Sequence, residues 1–207
     1  MSKRSLRDPL ICAVLVLLVA ANAGAQDRMP SIPKDRMTAD QQKAVAERGN
    51  LTGPWVPLLR SPEVLRLMMD MRSHVASRSL LNPQLTEIPI LISAREWTQQ
   101  YEWNAHEAIA TKAGLKPEII GAIKEGRRPA QMSEEEESIY DLCVELQRTR
   151  GVSDVTYSRA LRVLGGEEKI VEVVALQGYY ALLAMVMNTA RTALPPGRTP
   201  PLAPFPR

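Results

Sequence analysis

A carboxylate and an imidazole four residues apart form the first pair of side chains in this sequence that could transfer a proton. Glu102 and His106 lie in the stretch QYEWNAHEAI, which has a helical pattern, and residues at i and i+4 share one face of a helix. Each partner shifts the pKa of the other, so such a pair can hold a proton near neutral pH. Glu87 precedes His106 by nineteen residues, on a separate predicted helix, and antiparallel packing of the two helices could bring it to the same place. These three residues predict a proton-transfer site.

Two other interpretations of these residues remain open on the sequence alone. Glu102 and His106 could be a solvated pair on a helix face, worth about 0.2–0.5 kcal/mol, and periodicity alone favours this interpretation. Glu87, Glu102 and His106 could also ligate a divalent ion. The chain has only two histidines, and His74 is expected to be a surface or interface residue, so we predict no metal and no cofactor.

The cysteines exclude a two-thiol redox mechanism. Cys12 lies in an apolar N-terminal run that is expected to be removed, which leaves Cys143 alone. Cys143 shares the apolar register of a predicted helix with Ile139, Leu142 and Leu146. A buried, inert thiol is therefore expected there.

Residues 1–25 have the order of a secretory signal peptide. Basic residues precede an uncharged run over residues 10–21, which is shorter than the roughly 20 apolar residues that span a bilayer. Small residues follow at Ala21, Ala23 and Ala25 in an A-x-A pattern. We place the cleavage after Ala25, with Ala23 as the alternative. The mature protein is expected to be exported, periplasmic or secreted by a bacterium, with no stable membrane insertion.

Composition predicts one all-α domain. The chain has 207 residues, 45% of them hydrophobic and only 4% aromatic, which makes an all-β sandwich a poor fit. The first 25 residues carry three basic side chains and one acidic one, so the remainder has a net charge of about +1. That balance gives no indication of a nucleic-acid partner.

Capping residues, prolines and glycines divide the chain into segments. Residues 26–49 are predicted to form a linker and a short helix, 50–192 a helical domain, and 193–207 a proline-rich tail that is extended and unpacked. Within the domain, residues 53–57 are predicted to be a loop, and Pro89 is expected to kink its helix or begin the regular part. No charge occurs in residues 173–190, which favours a buried central helix over a membrane span or a subunit contact.

The spacing around the candidate site resembles that of the carboxymuconolactone decarboxylase and alkyl hydroperoxidase D family. In the redox branch of that family, a glutamate is followed by cysteines twelve and fifteen residues on and by a histidine nineteen residues on. Those offsets fall here on Glu87, Gln99, Glu102 and His106. The glutamate and the histidine match, whereas both cysteines are replaced.

Flanking motifs extend this resemblance over about residues 50–192. The string YEW at residues 101–103 looks like the decarboxylase-like branch, and AGL at 113–115 before PEII at 117–120 resembles the segment C-terminal to that string in the family. The second half of the domain is also similar, at Gly165, Tyr179, Tyr180 and Asn188. The resemblance implies an alkyl hydroperoxidase D-like helical bundle that forms a homotrimer or hexamer.

The resemblance also implies what the site does. Without paired thiols the peroxide reduction of the redox branch is not expected, and acid–base chemistry remains. We expect a lyase-type enzyme in which His106 or Glu102 delivers a proton and Glu87 orients the imidazole. The candidate substrate contacts are Gln99, Tyr101 and Trp103. The substrate is expected to be a small carboxylated or lactone compound, decarboxylated or isomerised. The alternative is a non-catalytic, oligomeric protein that binds a small molecule on the same fold.

Overall fold

Nine α-helices and no strand occur in residues 27–204, the part of the chain that this computed structural model describes. The helices are α1 (Ala39–Arg48), α2 (Trp55–Leu58), α3 (Pro62–Arg78), α4 (Pro83–Glu96), α5 (Gln100–Ala113), α6 (Pro117–Lys124), α7 (Glu134–Thr149), α8 (Asp154–Leu164) and α9 (Glu167–Ala190). The predicted all-α class is confirmed for these residues. The predicted signal peptide, residues 1–25, lies outside them.

Capping residues set most of the helix ends, close to the predicted positions. Thr38 accepts a hydrogen bond from the backbone N–H of Gln41, whose side chain bonds back to Thr38, so α1 begins with a complete capping box. Ser133 and Glu136 form the same arrangement at α7. Each box satisfies two backbone donors that a helix start leaves free.

The predicted loop over residues 53–57 is wrong in part, because α2 begins inside it. Pro54 lies just before the helix with a φ of −63°, the value that a proline ring imposes and that a helix needs. The backbone N–H of Leu58 then donates to Pro54 O at 3.2 Å. Pro57 lies in the first turn, where its missing N–H leaves no helical bond unmade.

Helix α4 is the centre of the bundle. All its residues from Leu85 to Arg95 are buried, and it packs against α5, α6, α7 and α9. The helix begins at Pro83 and continues past Pro89 to Glu96, so Pro89 does not begin the regular part. Since α4 is covered on every side, it can carry apolar residues all round.

Helix α9 crosses the same core, in agreement with the predicted central helix. In residues 27–204 it alone is long and apolar enough to cross a membrane, and 56% of its most apolar window is buried inside the protein. The Nε2 of Gln177 donates to Cys143 O at 2.9 Å, and Ser93 Oγ donates to Gln177 O at 3.0 Å. Cys143 is fully buried, and burial raises the pKa of its thiol, as expected for an inert cysteine.

The tail does not stay unpacked as predicted, at least as far as residue 204. The side-chain amide of Gln100 accepts from the N–H of Leu202 and donates to its carbonyl, both at 2.9 Å. Arg95 Nη1 donates to Ala203 O at 2.7 Å. Leu202 itself is only 4% exposed. Prolines prevent this segment from forming a helix, but they also lower the entropy that is lost when it docks.

Truncation of Leu202 tests this packing. Leu202→Ala is expected to lower the free energy of unfolding by about 2 kcal/mol, because it removes buried methyl groups and leaves a cavity. Urea denaturation followed by circular dichroism measures the change. Thr199→Ala, at an exposed position of the same tail, is the control and should stay within about 0.5 kcal/mol of the wild type. Equal stability of the two variants would show that the tail is not docked.

Candidate functional site

The pairing of α4 with α5 brings Glu87 to His106. The Oε2 atom of Glu87 lies 2.8 Å from Nδ1 of His106, a distance typical of a charge-assisted hydrogen bond. The side chains of Glu87 and His106 are 7% and 14% exposed. The second ring nitrogen of His106, Nε2, has no hydrogen-bond partner in residues 27–204. Glu87 thus orients the imidazole through Nδ1, and Nε2 remains available to a ligand.

Tyr180 of α9 holds the imidazole from another side. The rings of His106 and Tyr180 meet edge to face, with centroids 4.9 Å apart at 82°. Tyr180 packs in the same way on Tyr179, whose hydroxyl donates to Met68 O of α3 at 2.9 Å. Burial raises the pKa of Tyr180, as do the carboxylates of the site, so its phenol stays protonated at neutral pH.

A cavity of about 440 Å³ opens over the Glu87–His106 pair. Four of its polar lining residues come from four helices: Arg72 (α3), Glu87 (α4), His106 (α5) and Tyr180 (α9). Apolar side chains cover much of the remaining wall, among them Val75, Leu81, Ile90 and Ile109. Two larger hollows, of about 570 Å³ between α1 and α3 and of about 490 Å³ along α7 and α8, have neither imidazole nor thiol in their lining. The smaller cavity is therefore the candidate site.

Glu102 lies apart from this cavity wall. Glu102 and His106 share a helix, but no hydrogen bond joins them. The carboxylate bound to His106 is that of Glu87. Glu102 is only 4% exposed, and its Oε2 has no hydrogen-bond partner. Burial raises the pKa of Glu102 to about 8. Its carboxyl is therefore mostly protonated at neutral pH, and it lies close enough to raise the pKa of Tyr179 and Tyr180.

The three candidate substrate contacts, Gln99, Tyr101 and Trp103, also lie outside the cavity wall. The Gln99 side chain accepts from the N–H of Tyr101 at 2.7 Å, as the cap of α5, and donates to Asn188 Oδ1 at 2.8 Å. Trp103 is fully buried in the core. Tyr180 and Arg72 line the cavity in their place. The sequence indicates Tyr180 only as part of the Tyr179–Tyr180 pair that resembles the family, and nothing in the sequence indicates Arg72.

A close contact with Gly53 fixes the ring of Tyr101. Gly53 has a φ of +56°, and a Cβ there would lie 2.8 Å from Cζ of Tyr101. Gly53→Ala should lower the free energy of unfolding by about 2 kcal/mol or more, from backbone strain and the clash together. Gly165→Ala is the control, since Gly165 has a φ of +83° in the left-handed helical region and nothing within 4 Å of its Cβ position. Urea denaturation should show the larger loss at Gly53, and equal losses would argue against this contact.

Neither histidine belongs to a metal-binding cluster in the described part of the chain. No group of three or more His, Cys, Asp or Glu side chains within residues 27–204 is arranged to hold an ion. Nε2 of His74 lies 3.6 Å from Oε1 of Glu172, which also accepts from the N–H of Leu80 at 3.2 Å. His74 therefore links α3 to α9 and is not among the residues that line the cavity.

Comparison with known proteins gives matches in structure only. No protein-family model matches the chain, and no curated protein matches its sequence. An alkylhydroperoxidase AhpD core from Ralstonia eutropha JMP134, an uncharacterized peroxidase-related protein, superposes with a TM-score of 0.66 at 14% identity, covering 82% of this chain and 92% of that one. A protein of unknown function from Agrobacterium tumefaciens, described as an AhpD antioxidant defence protein, superposes with a TM-score of 0.58 at 18% identity. This match covers 67% of this chain and 94% of that one.

These likenesses establish an architecture. The superpositions cover more than nine-tenths of each of these two chains, so nearly the whole fold of each has a counterpart here. The resemblance first drawn from Glu87, His106 and the motifs around them is confirmed at the level of the fold. The chain has the all-helical fold of the alkylhydroperoxidase AhpD core.

Proposed function

We propose that this protein is an exported enzyme that performs cofactor-free acid–base chemistry on a small carboxylated or lactone compound. The observation that carries the proposal is the 2.8 Å hydrogen bond between Glu87 and His106 at the wall of a cavity of about 440 Å³. A solvated pair on a helix face would not be positioned to transfer a proton to a bound ligand. The Glu87–His106 pair is largely buried and faces a cavity that can hold one.

Glu87 sets the orientation of the imidazole and the tautomer of its neutral form. With Nδ1–H donated to the carboxylate, a neutral ring presents Nε2 as a base, and a protonated ring presents Nε2–H as an acid. Of the two proton donors that the sequence allows, His106 lines the cavity and Glu102 does not. We therefore assign proton transfer to His106, and Glu87 acts as its positioning residue.

Decarboxylation at this site needs one proton and one electron sink. The bond from carbon to carboxylate breaks, CO2 leaves, and the electron pair moves into a neighbouring carbonyl of the substrate as an enolate. The phenol of Tyr180, which stays protonated, donates a hydrogen bond to the enolate oxygen. The enolate then takes the Nε2 proton of His106 at carbon, and the neutral imidazole regains a proton from water.

Isomerisation uses the same groups without loss of CO2. Neutral His106 removes a proton from the carbon next to a carbonyl, and the enolate again forms against Tyr180. The imidazolium returns that proton to another carbon of the conjugated system. Peroxide reduction by paired thiols is not proposed, since Gln99 and Glu102 stand where the redox branch has cysteines.

We also propose that the protein acts as a homo-oligomer, a trimer or a hexamer. Apolar side chains on one face of α9 remain exposed, among them Val171 at 66%, with Val174 and Met185 farther along the helix. Gly178 lies between them on the same face, which allows close approach of another helix. Exposed apolar stripes of this kind support association, and the molar mass in solution tests it.

Turnover on a substrate panel tests the proposed activity. The purified protein is incubated with small lactones and β-keto acids while CO2 release and ultraviolet absorbance are followed. We expect at least one compound to be turned over, with the activity lost in His106→Ala. If a folded oligomer turns over none of these compounds, the proposal is contradicted. That result would favour the alternative, a non-catalytic protein that binds a small molecule in this cavity.

A further inference from the structure

We propose that Arg72 is the anion-binding residue of this cavity and that it holds an acidic group of the substrate that does not react. The inference rests on the proposed function for the position of the reacting atoms, at His106. It goes beyond that function because it assigns a specificity residue and constrains the substrate. Its basis is the placement of one guanidinium among the charges of the cavity.

Arg72 is unpaired, in contrast to its neighbour on the same helix. Arg66 bonds to Glu63 at 2.8 Å and to Asp70 at 2.9 Å, so its guanidinium is occupied. Arg72 makes no hydrogen bond or ion pair within residues 27–204, yet it lines the cavity. A free guanidinium presents a fork of donors that fits a carboxylate in two-point geometry.

The charge of Arg72 acts across the cavity. Burial raises the pKa of Tyr180, and the Arg72 charge opposes that rise; the same opposition holds at Tyr179. The guanidinium is thus close enough to influence the Tyr180 ring, which packs against His106. Arg72 is the only lysine or arginine in the cavity wall formed by the described residues. Glu87 and His106 bind each other there, and the Tyr180 phenol stays protonated.

An ion pair with Arg72 would hinder the departure of the carboxylate that it holds. In decarboxylation the negative charge leaves the carboxylate and moves into the enolate, so a cation on the departing group stabilises the ground state more than the transition state. Arg72 therefore suits a spectator anion. The implied substrate is a diacid that loses its second carboxylate near His106, or a monoacid that is isomerised at a distance from its carboxylate.

Binding of a simple carboxylate tests this assignment without a known substrate. Benzoate is titrated into the purified protein at pH 7, and the NMR signal of the His106 Cε1 proton reports occupancy. Benzamide, of the same shape but neutral, is the matched ligand. Arg72 is exposed to solvent at the cavity wall, so we expect saturable benzoate binding that Arg72→Gln weakens by about two- to fivefold, that Arg72→Lys partly restores, and that high salt weakens. Benzamide should bind the wild type and Arg72→Gln equally.

A second variant separates a local contact from a general effect of charge. Arg78→Gln removes the same charge from an exposed position on the same helix, outside the cavity wall, and should leave benzoate binding unchanged. Equal weakening in both arginine variants, or none in Arg72→Gln, overturns the Arg72 assignment while the proposed activity stands. Failure of benzoate to shift the His106 signal at millimolar concentration also overturns it. Failure of the proposed function is recognised separately, because none of the panel compounds is then turned over although benzoate still binds.

Discussion

Replacement of His106 by glutamine is expected to lower kcat by a factor of about 10² to 10⁴ on any compound that the protein turns over, which is the usual contribution of a general acid or base. Glutamine keeps a side-chain donor for the Glu87 carboxylate, so that buried group is not left without a partner. The fold should therefore survive, as thermal unfolding followed by circular dichroism would show. Initial rates measured at saturating substrate give the change in kcat.

His74→Gln is the matched control for this experiment. It removes the second histidine, which contacts Glu172 and does not line the cavity, and it should leave kcat within about twofold of the wild type. Glu87→Gln should fall between the two variants, because it weakens the orientation of the imidazole and leaves the imidazole in place. Undiminished turnover in His106→Gln would refute the assigned role of the imidazole.

Stability is expected to fall as the pH rises from 5 to 9, because of Glu102. Burial raises the pKa of Glu102 to about 8 in the folded protein, whereas an unfolded glutamate titrates near 4.3. Between these values the folded state keeps a proton that the unfolded state has lost. The stabilisation is complete below about pH 4.3, decreases through the window and is lost above about pH 8, with an upper limit of about 5 kcal/mol.

Glu102→Gln should remove this pH dependence. The amide has the shape of the protonated carboxyl and carries no charge, so the variant is expected to exceed the stability of the wild type by about 1 kcal/mol at pH 5 and by about 3 kcal/mol or more at pH 9. Urea denaturation at the two pH values gives both free energies. Glu118→Gln, at an exposed position of α6, should follow the wild type. A parallel decline in wild type and Glu102→Gln would rule out Glu102 as the source.

The two predictions assign different tasks to the carboxyl groups at this site. Glu87 accepts a hydrogen bond from the imidazole and orients it, whereas Glu102 lies buried with no partner for Oε2, and burial favours its neutral form. A carboxyl that stays neutral adds no negative charge beside Tyr180 while an enolate forms there. A charged Glu102 would oppose that step, so activity should decline as the pH rises through about 8, at the upper end of the window over which stability is lost.

Helix ends, fold class and the Glu87–His106 pair could be predicted from the sequence. The caps at Thr38 and Ser133 are interactions between residues three positions apart, so a short stretch of sequence determines them. The spacing of Glu87 and His106 requires only that two consecutive helices pack antiparallel. The resemblance to the alkyl hydroperoxidase D family used that same spacing, and the fold agrees with it.

Only the tertiary structure decided which side of α5 each polar residue faces. Glu102 and His106 share a helix face in the sequence, yet one lies buried and unpartnered beside α9 while the other binds Glu87 of α4. The docking of Leu202 on Gln100 joins residues 102 positions apart. Such contacts depend on the packing of distant helices, which local periodicity does not encode. For the same reason no pattern indicated Arg72, whose place in the cavity wall arises only when α3 packs against α9.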